Sequence, residues 1–308
     1  MQELLSPKLD ERAKEVASFI AARAPSRYYD FSEEKPPTND PAVVANYYAI
    51  VVSLDYGFWR FLNGQFKADF YNIDGKPIKG ATFLWIKSKA QFASNPSFFN
   101  LTELRHIKWD QFQAWLKDDS GTVPFKDPTT RFFLVRNFAE KMWNHPVHKT
   151  FMEGQQSIAA LSQILESCSA YADAPFCKKA HLLAKIMERQ GYWKVSDPEN
   201  KLPPIDYHLI NMATKLDLVT ISPNMASKLA GYQPLNSTEE LQLRSTCADA
   251  YRAITRHSGI DPYKLDDIIW SESRRNCQLP PYRCEQCLFN PICHKNITGF
   301  PVVETYRY

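Results

Sequence analysis

Four cysteines at Cys277, Cys284, Cys287 and Cys293 follow the spacing C-x6-C-x2-C-x5-C. Four thiolates in one short run are enough to ligate an iron–sulfur cluster, since such clusters take a cysteine at each ligand position. Structural zinc sites more often join two C-x2-C pairs across a longer separation, and only Cys284 and Cys287 form such a pair here. The sequence therefore predicts an iron–sulfur cluster held by these four cysteines, with zinc as the alternative.

Composition and charge limit the compartment and the partners. A disulfide framework would need an oxidising compartment, and no charged-then-apolar signal segment follows Met1. The longest apolar run, residues 42–54, contains Asn46 and is too short to span a bilayer. A net charge of +3 does not by itself indicate nucleic-acid binding, which needs local basic surface. We expect a soluble, cytoplasmic monomer with no membrane partner.

Helix-start signals recur along the chain and predict a mainly α fold. They include a polar residue followed by proline at the first helical position, as in Ser6-Pro7, Asp40-Pro41 and Asp127-Pro128. The helix that starts at Asp40 is predicted to continue far enough to carry Phe58 inward. Asp74-Gly75 predicts a β-hairpin over residues 70–79. Further helices are predicted over residues 129–143, 155–168, 178–190, 207–218, 222–229, 238–257 and 262–274.

The cysteine spacing resembles the 4Fe-4S loop of helix-hairpin-helix DNA glycosylases of the endonuclease III and adenine glycosylase type. In those enzymes the loop directly follows a helix, and here it follows the stretch LDDIIWSESRRN. The resemblance implies a mainly α, helix-hairpin-helix glycosylase-like bundle in two lobes, with a small β-hairpin and a C-terminal iron–sulfur loop. It implies an N-terminal helical lobe over residues 1–150, a glycosylase-like lobe over 151–276, and the cluster loop and tail over 277–308.

A catalytic aspartate follows from the same resemblance. The run Ile205-Asp206-Tyr207-His208 opens an amphipathic stretch and is similar to the V-D-T-H segment that holds the catalytic aspartate of those glycosylases. Breaking an N-glycosidic bond develops positive charge on the sugar, which a nearby carboxylate stabilises. Asp206 is therefore predicted to be catalytic, with Tyr207 and His208 near the base. An aspartate that opens a helix is also a common cap, so a purely structural role is the alternative.

A lysine pair precedes this aspartate where the glycosylase hairpin would lie. The family carries a glycine-rich L-P-G-V-G turn there, followed by a lysine in its lyase-competent members. Residues 174–181 contain no glycine and so lack the residue that lets a backbone approach a phosphate closely. The resemblance implies that Lys179 acts as a Schiff-base lysine and that Lys178 contacts DNA. A solvated lysine pair at a helix start is the alternative.

Several shorter stretches resemble the queuosine-salvage family, nucleotide N-glycosylases that release the deazaguanine base queuine. They are residues 52–59 (VSLDYGFW), 117–131, 178–183 and 205–208. That family has its catalytic aspartate at the position of Asp206 and typically lacks the four cysteines, so both resemblances imply the same carboxylate. Asp55, Phe58 and Trp59 are predicted to form a base pocket, because aromatic rings stack on a base and a carboxylate accepts from its edge donors. Core packing of the two aromatic residues is the alternative.

The leading hypothesis is a DNA N-glycosylase that flips out a modified, bulky base, excises it and leaves an abasic site, in repair or in defence against modified phage DNA. Basic side chains near the cysteines would contact the backbone of double-stranded DNA: Arg274, Arg275, Arg283 and Lys295. One alternative is a queuosine 5'-phosphate-type nucleotide N-glycosylase in base salvage, in which the cluster only stabilises the fold. Another is a non-catalytic nucleic-acid-binding protein in which Asp206 is only a cap.

Overall fold

The computed structural model describes residues 6–23, 31–62, 65–147, 149, 156–278, 281–295 and 299–307. Within these residues the fold is mainly helical, with two small antiparallel hairpins. The helices are α1 (Pro7–Arg23), α2 (Pro41–Ser53), α3 (Gly80–Ser94), α4 (Leu101–Arg105), α5 (Trp109–Leu116), α6 (Pro128–Met142), α7 (Ile158–Leu165), α8 (Lys178–Arg189), α9 (Tyr207–Lys215), α10 (Pro223–Ala230), α11 (Ser237–Ser258) and α12 (Pro262–Glu272). The strands are β1 (Trp59–Leu62), β2 (Gln65–Ala68), β3 (Phe70–Ile73) and β4 (Lys76–Lys79). The predicted mainly α class is confirmed.

The helix starts lie where the local signals indicated. α1, α2 and α6 each begin at the predicted proline, and Asp40 caps α2 by accepting from the Ala42 amide at 2.9 Å. The helix predicted from residue 155 is observed from Ile158, with Ser157 as its cap. Residue 155 itself lies outside the described residues. Polar caps therefore fix the starts of α2 and α7, because their oxygens satisfy amides that have no partner within the helix, whereas Asp127 makes no side-chain cap bond at the start of α6.

The expectation that the second helix carries Phe58 inward is wrong. α2 ends at Ser53, and Gly57 follows with φ of +60°, a left-handed conformation that glycine adopts without strain. The Arg131 guanidinium donates to the Tyr56 carbonyl at 2.7 Å and holds this turn. The chain then enters β1, which pairs with β2 in a hairpin that the sequence patterns did not indicate.

The hairpin predicted over residues 70–79 is confirmed. β3 and β4 pair antiparallel on either side of Asp74 and Gly75. The Asp119 carboxylate accepts from both turn amides, at 3.1 Å from Asp74 and 2.8 Å from Gly75. A side chain distant in sequence thus fixes a turn that the Asp-Gly pair already favours.

The chain forms two compact units. Unit 1 comprises residues 1–29 and 201–304, and unit 2 comprises residues 30–200 and 305–308. The boundaries implied by the resemblance, at residues 150 and 276, divide the chain by motif and stay predictions.

In unit 1, α1 packs along α11 and against the cysteine loop, the name used here for residues 277–293. The Phe19 and Phe289 rings lie 6.1 Å apart. The Arg12 guanidinium donates to the carbonyl of Leu216, just after α9, at 2.7 Å, and to the carbonyl of Ile292. The first helix therefore secures both the predicted catalytic helix and the cysteine loop.

In unit 2, α2 lies in the core, and from Val44 to Ser53 every residue except Asn46 is buried. Its Tyr47 ring lies 5.0 Å from the ring of Phe99, in an aromatic cluster that also includes α3 residues. Full burial of one large apolar side chain contributes about 1.5–3 kcal/mol, so this helix is a major source of stability in the unit. Among the described residues, no helix combines the length and apolar character needed to cross a bilayer.

Candidate active site and cysteine loop

Asp206 is buried, 7% exposed, immediately before α9. Its Oδ1 accepts from the backbone amides of His208 at 2.8 Å and Leu209 at 3.1 Å. The carboxylate thus caps the helix at the positive end of its dipole. The two hydrogen bonds fix the direction of the carboxylate. A fixed direction is consistent with both predicted roles, catalysis and helix capping.

Tyr207 and His208 form an aromatic and polar cluster beside the helix start. Their rings lie 4.6 Å apart, and the His208 ring meets the Trp270 ring edge-on at 5.7 Å. His208 Nδ1 lies 3.2 Å from the hydroxyl oxygen of Ser273. The two residues predicted near the base therefore adjoin Asp206 within unit 1.

The four predicted ligand cysteines all lie in unit 1 as free thiols. Cys277 and Cys287 are buried, and the hydrogen bond between their sulfurs lowers the pKa of Cys277 to about 7 while it raises the pKa of Cys287. Cys293 donates from its sulfur to the Lys215 carbonyl at 3.3 Å, and burial raises its pKa. Cys284 is partly exposed. One thiol of the set is thus biased toward the thiolate, the form that binds metals.

The chemistry of this donor set fits a thiolate-ligated metal group. Soft sulfur ligands suit iron–sulfur clusters and zinc. Across the described ranges, no three Cys, His, Asp or Glu side chains are grouped for a single metal ion. In a 4Fe-4S cluster each of four cysteine thiolates binds a different iron, so such ligands need not converge on one ion. Cys277, Cys284, Cys287 and Cys293 are the residues that could hold a cluster.

A buried lysine next to the cysteine loop was not among the predicted site residues. Lys215, the last residue of α9, is 4% exposed, and its amine donates to Asn211 Oδ1 at 2.5 Å. The same amine donates to the carbonyls of Cys277 and Gly299, both at 3.2 Å, and lies 4.6 Å from the centre of the Tyr282 ring. Burial lowers the pKa of Lys215, and the neighbouring cysteines oppose that shift. Lys215 therefore joins α9 to Cys277, at the start of the cysteine loop, and to Gly299, beyond the end of that loop.

Polar side chains on one face of α9 connect His208, two residues after Asp206, to the cysteine loop. His208, Asn211 and Lys215 stand three and four residues apart and so share that face. Ser273, from the π-helical turn after α12, accepts from Asn211 Nδ2 at 3.1 Å and contacts His208 Nδ1. A buried hydrogen-bonded chain thus runs along the helix. Polar residues at helical spacing on an otherwise apolar face were the sequence signal that could have revealed it.

The basic residues predicted to contact DNA near the loop lie at or near the surface. Arg275, Arg283 and Lys295 are exposed. Arg274 is partly exposed, and its guanidinium lies 4.8 Å above the ring of Trp270. The surface beside the cysteine loop therefore carries accessible positive charge, which phosphate contacts require.

The lysine pair at the start of α8 is buried, so the solvated alternative is wrong. Lys178 is 6% exposed and Lys179 is 0% exposed. The Lys178 amine lies 3.9 Å from Asp55 Oδ2, and its backbone amide donates to Asp173 Oδ2 at 3.0 Å. Lys178 is therefore an ion-pair partner of a predicted pocket residue, a different setting from that of an exposed phosphate ligand.

The amine of Lys179 is enclosed by acceptors. It donates to the carbonyls of Ser53 and Tyr306, each at 2.7 Å, and lies 4.7 Å from the centre of the Tyr56 ring. Burial, followed by the neighbouring Lys178, holds the pKa of Lys179 well below its usual range. A lowered pKa favours the neutral amine, which is the nucleophilic form of lysine.

The predicted pocket aromatics of unit 2 are packed against neighbours. Trp59 is 3% exposed, and the Lys126 amine lies 4.3 Å from its ring centre. Phe58 faces Phe125 at 5.9 Å. A Cβ added to Gly80 would stand 2.5 Å from Phe58 Cδ1, so only glycine fits beneath this ring. Both rings thus make the contacts expected of the core-packing alternative.

Two groups of predicted residues are brought together, one in each unit. In unit 1, Asp206 caps the helix on which Tyr207 and His208 adjoin each other, and buried polar side chains join His208 to the cysteine loop. In unit 2, Asp55 is paired with Lys178, beside Lys179. The sequence matches no protein-family model and no curated protein. Function is therefore inferred from the residues and their geometry.

Proposed function

We propose that this protein is a DNA N-glycosylase that flips a modified, bulky base out of the duplex, hydrolyses its N-glycosidic bond and leaves an abasic site. The proposal rests on the Asp206 carboxylate, which is buried and oriented at the start of α9. Support comes from the cysteine loop in the same unit and from the exposed Arg275, Arg283 and Lys295 beside that loop.

In the proposed reaction, the bond between the base and the sugar breaks with its electron pair leaving on the base. The sugar then carries positive charge, which the Asp206 carboxylate stabilises while it orients the attacking water. The water oxygen bonds to the anomeric carbon, and the proton that it loses neutralises the base that left with the electron pair. Removal of one group that stabilises transition-state charge typically costs about 10²–10³ in rate, which sets the size of the expected effect.

The four cysteines are proposed to hold a 4Fe-4S cluster, with zinc as the alternative. A bound cluster would cross-link the loop through its thiolate bonds. Hydrolysis transfers no electrons, so the residues of the loop act by positioning: they hold the surface that carries Arg283 and Lys295. Iron and sulfide analysis of the purified protein tests the assignment, and stoichiometric zinc in place of iron would contradict it.

The test compares two aspartates that cap helices in unit 1. Asp206 caps α9, and Asp261 caps α12 by accepting from the Tyr263 amide at 2.8 Å. Asparagine caps helices about as well as aspartate, so both Asp→Asn changes preserve the cap. Each variant is incubated with duplexes that contain different modified bases, and the released base is identified by mass spectrometry. We expect Asp206→Asn to lose about 10²–10³ of the rate and Asp261→Asn to keep it.

Equal base release by the Asp206→Asn variant and the unchanged protein would contradict the proposal and favour a non-catalytic nucleic-acid-binding role. A second candidate function is a queuosine 5'-phosphate-type nucleotide N-glycosylase. The burial of Lys178 against Asp55 favours it, since this lysine is occupied within unit 2 instead of presented to a DNA backbone. Salt separates the two: duplex binding weakens steeply with ionic strength, whereas turnover of a free nucleotide depends on it weakly.

A further inference from the structure

We propose that the segment Thr305–Arg307 is a removable cover over the amine of Lys179, and that its displacement exposes this amine to aldehydes. We call this segment the covering segment. The proposal concerns access to one buried nucleophile. Only the biological role of the exposed amine rests on the proposed function, in which an abasic site presents a sugar aldehyde to it.

The enclosed state is defined by three contacts around one nitrogen. Lys179 Nζ donates to the Ser53 and Tyr306 carbonyls, each at 2.7 Å, and the Tyr56 ring lies on a third side. The side chain has no exposed surface. An amine held in this way cannot approach a carbonyl carbon, since attack requires the nitrogen lone pair and an open direction.

Tyr56 forms a fixed floor beneath the amine. Its hydroxyl donates to Asp127 Oδ2 at 2.6 Å, and the buried Arg131 guanidinium lies 4.0 Å from its ring centre. The Tyr306 ring meets the Tyr56 ring edge-on at 6.4 Å. The covering segment therefore lies against a ring whose own position is set by two other residues.

The two carbonyls that hold the amine differ in how they are anchored. The Ser53 carbonyl belongs to the last turn of α2, in the core of unit 2. The Tyr306 carbonyl belongs to a segment that is neither helix nor strand, in which Thr305 and Tyr306 are partly exposed and Arg307 is exposed. Displacement of that segment lets the Tyr306 carbonyl turn to water, while Ser53 keeps the lysine in place.

Displacement would convert Lys179 from an enclosed amine to an accessible one. With an aldehyde, the nitrogen bonds to the carbonyl carbon and water leaves, which gives an imine. A hydride reagent then reduces the imine to a stable secondary or tertiary amine. Reductive methylation with formaldehyde and dimethylamine-borane follows this route and requires neither nucleic acid nor an active enzyme.

The experiment compares the full chain with a variant that ends at Glu304. Both are briefly methylated under native conditions, and each lysine is quantified by peptide mass spectrometry. We expect the methylation rate of Lys179 to rise about tenfold in the shortened variant, the factor that corresponds to the loss of one hydrogen bond. Lys185, buried on α8 in the same unit, should stay slow in both chains, and the exposed Lys264 should be fast in both.

Equal methylation of Lys179 in the two chains would overturn the proposal. If shortening the chain accelerates Lys185 as well, the variant has lost the fold of unit 2, and Tyr306→Ala in the full chain decides. A selective rise at Lys179 in that variant supports the cover, and no rise overturns it. Because labelling uses no substrate, a reactive Lys179 together with full base release by Asp206→Asn would reject the proposed function and leave the cover standing.

Discussion

Lys179 in unit 2 and Lys215 in unit 1 are both buried lysines whose amines donate to backbone carbonyls, yet their settings differ. Lys215 also donates to the Asn211 side chain and has cysteines nearby. Lys179 lies over an aromatic ring, and one of its two acceptors, the Tyr306 carbonyl, is in an irregular segment. A buried lysine thus stays fixed where all its acceptors are packed, as at Lys215. Where one acceptor can move away, as at Lys179, the amine can become accessible.

The largest expected effect is the loss of Lys215. Lys215→Met would leave Asn211 Oδ1 and the Gly299 carbonyl without this donor, at about 1–3 kcal/mol for each buried group. We expect a marked fall in the free energy of unfolding in urea and a loss of retained metal. The control is Lys264→Met on the exposed side of α12, which should change neither. Full metal retention by Lys215→Met would show that the loop does not depend on Lys215.

A smaller stability loss is expected for Lys179→Met. Only the Ser53 carbonyl stays buried without a donor, since the Tyr306 carbonyl can turn to water, so we expect about 1–3 kcal/mol. A loss as large as that of Lys215→Met, measured by urea unfolding under the same conditions, would mean that the two settings are equivalent.

The pH dependence of stability sharpens the same comparison. The folded-state pKa of Lys179 lies below its unfolded value, so unfolding takes up a proton and stability rises with pH between those two values, up to about pH 10.4. We therefore expect the unfolding free energy of the unchanged protein, relative to Lys179→Met, to increase as the pH approaches that limit. A difference that stays constant with pH would contradict the lowered pKa.

The hydrogen-bonded chain along α9 predicts a smaller change in unit 1. Ser273→Ala removes the hydroxyl shared by His208 and Asn211 and should cost about 1–3 kcal/mol, with a several-fold fall in kcat for base release. Ser88 is a matched control, because it is fully buried and donates to the Leu84 carbonyl at 2.8 Å. Ser88→Ala should cost about 0.5–1.5 kcal/mol and leave kcat unchanged. Equal kcat values for the two variants would show that the hydrogen-bonded chain along α9 does not contribute to catalysis.

The smallest expected effect is on the salt dependence of DNA binding, and it distinguishes an exposed cationic side chain from a buried one. Arg283 is exposed beside the cysteine loop, whereas Lys178 is buried against Asp55. In duplex-binding titrations across salt concentrations, Arg283→Ala should reduce the slope of log K against log salt by about 1, the value for one lost phosphate contact. Lys178→Met should leave the slope unchanged. The reverse pattern would place the DNA contact in unit 2.

Local signals predicted much of the fold. Helix starts at Pro7, Pro41 and Pro128 and the turn at Asp74-Gly75 follow from side chains that act within a few residues. The pairing of α1 with α11 could not be read in this way, because it joins the two ends of the chain and leaves no periodic or capping signal. The early end of α2 depends on Gly57 and on Arg131, whose contribution comes from a distant helix.

The candidate sites were predictable where motifs carry them. Asp206 was identified from a four-residue segment, and the structure adds its cap geometry. The burial of Lys179 was not predictable, because a lysine pair at a helix start reads as surface and its enclosure depends on Ser53 and Tyr306 from remote positions. The network of Lys215 was missed because its acceptors are largely backbone carbonyls, which every residue possesses.

The discontinuous composition of unit 1 has a consequence for synthesis on the ribosome. α1 is translated before the surfaces it covers, on α11 and at Phe289, and the whole of residues 30–200 is translated in between. Domains tend to fold as they emerge, so unit 2 can acquire most of its core while α1 still waits for its partners. The nascent polypeptide must therefore keep an amphipathic helix in solution until α11 and Phe289 have left the exit tunnel.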